Sequence, residues 1–246
     1  MKLDRLIARH DCMGRQAAHL AIAAGRVRVD DRIVTDTHHP VDRFTQVMFD
    51  GVTIQQPERA LYLMLNKPAG ILCATRDDRH QTVIDLIDDT DKHTLHIAGR
   101  LDRATSGLVL LTNDGRWSKR LMAAEHKVPK VYLVETAEPI ASDAVEAFAR
   151  GFYFHTEDIT TLPAELVILG ECRARLTLHE GRYHQVKRMF HRVNNRVVRL
   201  HRESIGSITL PADLHSGAWR PVDPATVWEA RASGDSSVFR NSGFRG

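Results

Sequence analysis

The sequence predicts an α+β protein in two parts, a small N-terminal module followed by a larger domain with a mixed, mostly antiparallel sheet around a central cleft. Three observations carry this expectation. Strand-like runs are many and helical runs few, without the regular alternation of βαβ units. A polar stretch from about Asp50 to Arg59, containing Gln55-Gln56-Pro57-Glu58, separates two regions of different pattern. A chain of 246 residues with 43% hydrophobic content suffices for one sizeable core plus a small appended module. The boundaries read as a module over 1–55, a linker over 56–60, a large domain over 61–230 and a disordered tail over 231–246.

At the start of the chain, Leu3, Leu6 and Ile7 recur at helical spacing, and a second helical pattern runs from about Arg15 to Ala24 and stops at Gly25. Arg26-Val27-Arg28-Val29 alternates, Asp30-Asp31 turns, and Arg32-Ile33-Val34 resumes, which predicts a small basic hairpin. In the larger part, Leu61–Leu65 reads as a buried strand stopped by Pro68 and Gly70, and the acidic segment around Asp85–Asp91 as loop or helix end. Leu108–Leu111 is another apolar strand, ending in Asn113-Asp114-Gly115. Ser142 is placed to cap a helix that runs to Arg150 and stops at Gly151, with Val145, Phe148 and Ala149 as its apolar face. Arg173–His179 alternates as a strand. Val186, Met189, Phe190 and Val193 then fall at i, i+3, i+4 and i+7, which predicts a helix burying that stripe, with His184, Lys187, Arg188 and His191 on a different face. A closing strand spans Val197–His201, and Val227-Trp228 is a last apolar patch.

The formal net charge of +3 says little about partners, but the charge is unevenly spread. Arg173, Arg175, Arg182, Lys187, Arg188, Arg192, Arg196, Arg199 and Arg202 fall in one segment in which only Glu180 opposes them, while the acidic residues cluster elsewhere, at Asp77–Asp91. Such a segment predicts a polyanion footprint. Cys12, Cys73 and Cys172 form no CxxC pair and no disulfide framework, and the histidines lack zinc spacing, so no metal is expected. The N-terminus has no apolar h-region, and no run of about 18 apolar residues exists, which predicts a cytoplasmic protein that is neither exported nor membrane-spanning.

The most informative run is Gly99-Arg100-Leu101-Asp102-Arg103-Ala104-Thr105-Ser106-Gly107, which places one carboxylate between two glycines and two arginines, where a bulky substrate can approach the backbone closely. The run resembles the catalytic signature of the pseudouridine synthases. Lys67-Pro68-Ala69-Gly70 is similar to that family's first motif, and Lys130-Val131-Tyr132 and the segment Glu180–Phe190 are similar to its later ones, all in the family's order. The N-terminal pattern of helix, helix and basic hairpin resembles an S4 RNA-binding domain, although Gly14 stands where relatives often carry a serine cap. The combination, with His201-Arg202-Glu203-Ser204-Ile205-Gly206, is similar to the branch of the family acting on the small ribosomal subunit, and the resemblance covers about residues 1 to 230.

The resemblance implies isomerisation of uridine to pseudouridine in 16S rRNA, at uridine 516, on the rRNA or a small-subunit assembly intermediate, by a monomer without a cofactor. The reaction breaks the N1 glycosidic bond, turns the base and joins C5 to the same C1′, so no atoms enter or leave. It implies Asp102 as the catalytic carboxylate, a role for which retaining glycosidases offer the chemical precedent. It implies Tyr132 as the aromatic residue that stacks on the base, and Lys187 as the cation that pairs with the carboxylate. Among the substrate- and RNA-binding positions it implies are Arg100, Lys67, Arg182 and Arg188, with Lys67 and Gly70 shaping the pocket wall and Thr105 and Ser106 bracing the turn. In the S4-like module, Arg26 and Arg28 are the expected RNA contacts. The residues leave open whether Asp102 attacks sugar or base or assists glycal formation. They also leave open two rivals: a sister enzyme acting on 23S rRNA, and a catalytically silent S4-type assembly factor.

Overall fold

The structure is a computed structural model that describes residues 1–10 and 13–229; the tail read over 231–246 lies outside the described residues, as does Cys12. The chain divides into two compact units, the first spanning Met1–Ala60 and the second starting at Leu61.

The first unit opens with helices α1 (Leu3–His10) and α2 (Arg15–Ala23). A four-stranded sheet follows, made of β1 (Val27–Val29), β2 (Arg32–Ile33), β3 (Val47–Phe49) and β4 (Val52–Gln55) in the order β2-β1-β3-β4. Asp30 and Asp31 both take positive φ, 45° and 63°, the turn geometry whose twist matches a tight hairpin. Leu3, Ile7, Ala18, Ile22, Val27 and Val47 form a separate core. Within it the buried Asp4 of α1 accepts hydrogen bonds from Arg15 Nε at 2.8 Å and His19 Nε2 at 3.1 Å on α2. The His19 bond above all, opposed by burial and supported by Arg15, holds the Asp4 carboxyl down at about 2. This clasp joins two helices of which the second, starting at Gly14, has no side-chain cap.

The polar stretch read as linker from Asp50 needs correction, because Val52–Gln55 is the fourth strand. Asp50-Gly51 makes the β3–β4 turn, with φ of 48° and 79°, and Gln55 Nε2 donates to the carbonyls of Asp42 and Thr45 at 2.6 and 2.8 Å. Polarity there reflects a strand with no fully buried residue, not absence of structure.

The second unit is organised by a nine-stranded sheet. Its strands are β5 (Tyr62–Lys67), β6 (His96–Ala98), β7 (Ser106–Thr112), β8 (Lys130–Thr136), β11 (Glu165–Gly170), β12 (Arg173–Leu178), β13 (Val197–Ile205), β14 (Ile208–Thr209) and β15 (Trp219–Pro221). The order is β11-β12-β8-β13-β7-β5-β15, with β14 attached to β13 and β6 to β7. The small hairpin β9 (Tyr153–Phe154) and β10 (Ile159–Thr160) stands apart from this sheet, and the helices are α3 (Gly115–Met122), α4 (Ala144–Arg150) and α5 (Gln185–Arg192). Every pairing in the large sheet is antiparallel except β13 with β7 at its centre, so the sheet is mixed and mostly antiparallel, as the sequence predicts.

The apolar run Leu108–Leu111 is continuous because β7 is covered on both faces. Val109 and Leu111 enter one core with Leu63, Leu65, Val134 and Phe190, while Leu108 and Leu110 enter another with Trp117, Leu121 and Ile208. Helix α5 buries Val186, Met189 and Phe190, and Phe190 packs against Phe148 of α4 at 4.9 Å between ring centroids. The reading of α4 is corrected in two respects. Its N-cap is Asp143, with no side-chain cap bond, not Ser142, and its buried residues are Ala144 and Phe148, while Val145 and Ala149 face solvent.

Candidate active site

Asp102 sits in the turn joining β6 to β7, and the backbone of that turn is fastened from below. Lys67, at the end of β5, is 0% exposed, and its ammonium donates to three carbonyls: Pro68 at 2.9 Å, Arg103 at 3.2 Å and Thr105 at 2.7 Å. Burial pulls the Lys67 ammonium below the usual lysine value, with Cys73 and Asp102 opposing that shift. Arg202 of β13, 1% exposed, donates from Nη2 to the Gly99 carbonyl at 2.8 Å, from Nη1 to that of Arg100 at 3.4 Å and from Nε to that of Leu108 at 2.7 Å. Two buried cations thus satisfy five carbonyls in and beside the acid-bearing turn, together with that of Pro68. The outer side is tied by Gly70 N to the Arg103 carbonyl at 2.7 Å, by Arg103 Nε to the Gly70 carbonyl at 3.0 Å, and by Leu101 N to Cys73 Sγ at 3.3 Å.

Gly107 allows this junction. Its φ is 107°, and a Cβ there would lie 2.3 Å from the backbone oxygen and 2.5 Å from the nitrogen of Arg202, the residue it pairs with across the parallel β7–β13 contact. Glycine is what lets the acid-bearing turn feed straight into the central strand.

Above the turn, Lys187 Nζ lies 3.2 Å and His184 Nε2 3.5 Å from Asp102 Oδ2. His184 caps α5 in the left-handed conformation, φ 49° and ψ 30°, and this bend brings both its ring and the lysine of the following turn onto one carboxylate oxygen. Its ring stacks on Tyr183 with 3.9 Å between centroids and 18° between planes. A cavity of about 690 Å³, within the size range of small-molecule sites, is lined by Asp102, Tyr132, Lys187, Arg100, Lys130, Tyr183 and His184 among others. Lys130 stands two residues before Tyr132 on β8 and therefore on the same strand face. Burial, reinforced by Arg202 and opposed by Glu180, pulls its ammonium down to about 8. A second cavity, about 760 Å³, lies beside the alternate residues Val131 and Leu133. It contains the mutually paired Arg175 and Glu203 but no part of the Asp102 turn.

The structure therefore brings Asp102, Tyr132, Lys187 and Arg100 to one cavity. Other expected site residues are engaged by partners within their own unit. Lys67 is a brace under the turn and does not line the cavity wall. Arg188 forms a two-point pair with Glu157, 2.8 Å at each contact, and lies 3.7 Å over the Phe154 ring. Arg182 lines the cavity but is engaged by Glu180 at 2.9 Å. In the first unit, Arg26 pairs with Asp50 and lies over Phe49 at 4.9 Å, and Arg28 donates to the Asp31 carbonyl.

The expected polyanion segment is corrected accordingly. Its acidic complement is not remote: Glu157 faces Arg188, Glu203 faces Arg175 at 2.8 Å, and Glu135 faces Arg199 at 3.4 Å. The fold supplied these partners from other parts of the chain, and Arg199 and Glu135 are register partners across β13 and β8. Sequence reasoning missed Arg202 as an internal brace, Lys130 as a cavity residue and His184 as a second partner of Asp102. The last two had a signal, since Lys130 precedes Tyr132 by one strand period and His184 precedes Lys187 by about one helical turn.

The mixed sheet thus carries a carboxylate-bearing turn beside a cavity that an aromatic residue and a lysine also line. The chain belongs to the RNA pseudouridylate synthase family, whose pattern its residues 61–192 match. It is accordingly a pseudouridine synthase, an isomerase. It is 50% identical over 227 residues to ribosomal small subunit pseudouridine synthase A of Pseudomonas aeruginosa, an alignment covering 92% of this chain and 99% of that protein. The protein of the same name from Escherichia coli K12 is 46% identical over 222 residues, covering 90% of this chain and 96% of that one. Among solved structures, one described as the crystal structure of pseudouridylate synthase matches with a TM-score of 0.66 and 38% identity, covering 92% of this chain and 98% of that chain.

Proposed function

We propose that this enzyme converts uridine 516 of 16S rRNA to pseudouridine, in the cytoplasm and as a monomer, acting on the rRNA or a small-subunit assembly intermediate. The names of the relatives from Pseudomonas aeruginosa and Escherichia coli support the small-subunit substrate. The single observation behind the chemistry is the Asp102 carboxylate, held 3.2 Å from Lys187 Nζ in a cavity that Tyr132 also lines.

In this reading the target nucleotide is drawn out of the folded RNA into the cavity, at a cost of about a few kcal/mol for unstacking. Asp102 is the carboxylate that acts on the target nucleoside, and Lys187 and His184 fix the direction of its oxygen. The N1–C1′ bond breaks, the detached base turns against the Tyr132 ring, and C5 bonds to C1′. The proton leaves C5 and N1 regains one, so the product is an isomer of the substrate. Residues 1–55 act as an S4-type module that grips rRNA phosphates.

The test is tritium release from C5-labelled uridine in 16S rRNA. Asp102→Asn is expected to abolish release while leaving rRNA binding within about twofold, because the change removes a reagent and no phosphate contact. Near-normal turnover by that variant would refute the assignment of Asp102. A pseudouridine map of rRNA from a deletion strain checks the target: loss at 16S position 516 supports it, and loss at a 23S position transfers the same chemistry to the other subunit.

A further inference from the structure

Tyr183 is the largest exposed apolar side chain at the cavity mouth, and nothing in the proposed chemistry uses it. It is 75% exposed, yet it is not loose. One face of its ring is covered by His184 at 3.9 Å, nearly parallel, and the His184 ring nitrogen is within 3.5 Å of Asp102. Its carbonyl accepts a hydrogen bond from Arg188 Nη1 at 3.3 Å, and Arg188 is itself locked by Glu157. On its other side the loop is held by Arg182 N donating to Gln185 Oε1 at 3.0 Å and by Gln185 Nε2 donating to Glu180 Oε1 at 2.7 Å. The result is an aromatic plane with one face backed by imidazole, the other left to solvent, and the backbone tethered at both ends.

A solvent-facing ring held flat at the mouth of a nucleotide-sized cavity is a binding surface whose ordering cost is already met. Unpaired RNA bases are recognised by stacking on aromatic planes of this kind. We infer that Tyr183, backed by His184, is a stacking platform for an unpaired base next to the target uridine in the RNA. The platform rests on the RNA-modifying reading above and deepens it. Extruding one nucleotide leaves its neighbour with an uncovered face, and the Tyr183 ring replaces the lost stacking partner. Because the same imidazole touches both Tyr183 and Asp102, docking of the neighbour also sets the height at which the target meets the carboxylate. Arg188 and Glu157 thereby acquire a positioning role, holding the platform rather than gripping phosphate.

The experiment uses the full chain and 16S rRNA assembled by splinted ligation, with 2-aminopurine placed on either side of uridine 516 in separate samples. Wild-type enzyme is expected to quench the probe at one of the two positions. Tyr183→Ala is expected to lose that quenching and to raise KM about 10-fold, the scale of one lost base–aromatic stack, with the loss falling on KM rather than kcat. Tyr183→Phe is expected to restore quenching and KM, whereas Tyr183→Leu, which keeps apolar bulk without a flat ring, is not. Replacing the quenched nucleotide by an abasic residue is expected to erase the difference between wild type and Tyr183→Ala. If the wild type turns over and Tyr183→Ala matches it in KM and quenching, the platform is overturned and the synthase reading stands. If the wild type releases no tritium from any rRNA, both are overturned together.

Discussion

Lys67 and Arg202 carry full charges out of water in order to hold backbone carbonyls, and the position of Asp102 depends on them. A buried ammonium with three carbonyl partners is stable only while all of them are present, and removing it leaves those oxygens unpaired. Lys67→Met, close in length and without charge, is expected to lower stability by about 3 kcal/mol, which for a domain of this size is a fall of roughly 10 °C in Tm. It is also expected to cost more activity than that stability loss accounts for at 25 °C, because the turn under Asp102 loosens. Thermal unfolding alongside tritium release checks both. At this scale the motif residues Asp102, Tyr132 and Lys187 could be picked out in the sequence, since each stands in a recognisable local pattern. The fate of the long cations could not. Whether Arg188 or Arg202 meets phosphate, carboxylate or carbonyl depends on what the fold brings within a few ångströms of its tip, and those partners, Glu157 and the Gly99 carbonyl, lie 31 and 103 residues away.

The central pair of strands is the element on which the site rests. Strands β7 and β13 run parallel, touching at His201–Ser106 and Arg202–Gly107, and no other pairing in the large sheet has that sense. Gly107→Ala would force a methyl group to within 2.3 Å of a backbone oxygen at a φ of 107° and is expected to cost about 3 kcal/mol or more. The expected outcome is a chain that unfolds at lower temperature and has no detectable turnover, measured by calorimetry and tritium release, whereas Gly115→Ala, at a helix start with open space around it, is expected to change little. Periodicity revealed the elements with strong patterns: α5 from its apolar stripe, β7 from its continuous run, β12 from alternation. Short elements escaped it. Strand β4, where Val52 and Ile54 alternate with Thr53 and Gln55, was masked by the polar run Gln56–Arg59 that follows it, though Asp50-Gly51 is a strong hairpin signal. Helix α3 was hidden behind the turn signal Asn113-Asp114-Gly115, in which Asp114 is the helix cap, accepting from Arg116 N at 2.8 Å and Trp117 N at 3.1 Å.

Across the whole molecule, the two units divide between Ala60 and Leu61, and the function proposed for each makes separable demands. If residues 1–55 grip rRNA phosphates, deleting residues 1–60 is expected to weaken rRNA binding and flatten the dependence of log K on log salt, because fewer counterions are released. Filter binding between about 50 and 200 mM salt measures the slope, and an unchanged slope would remove the module from RNA binding. The slope lost should be modest, since Arg26 is already paired with Asp50 and part of the module's positive charge is balanced within it. A net charge of +3 on 246 residues fits a protein that places a few charges well rather than one that coats itself in them.

By itself the sequence determined the class of fold, the family, and the turn on which the carboxylate stands, because these are written in short patterns of residue type and spacing along a continuous chain. Only the tertiary structure decided which cations reach Asp102, which are braces and which are neutralised, and that Tyr183 and His184 form one stacked surface beside Asp102. The physical reason is distance. A charge is defined by what lies within about 4 Å of it, and in this protein those neighbours come from strands and helices far apart in the chain.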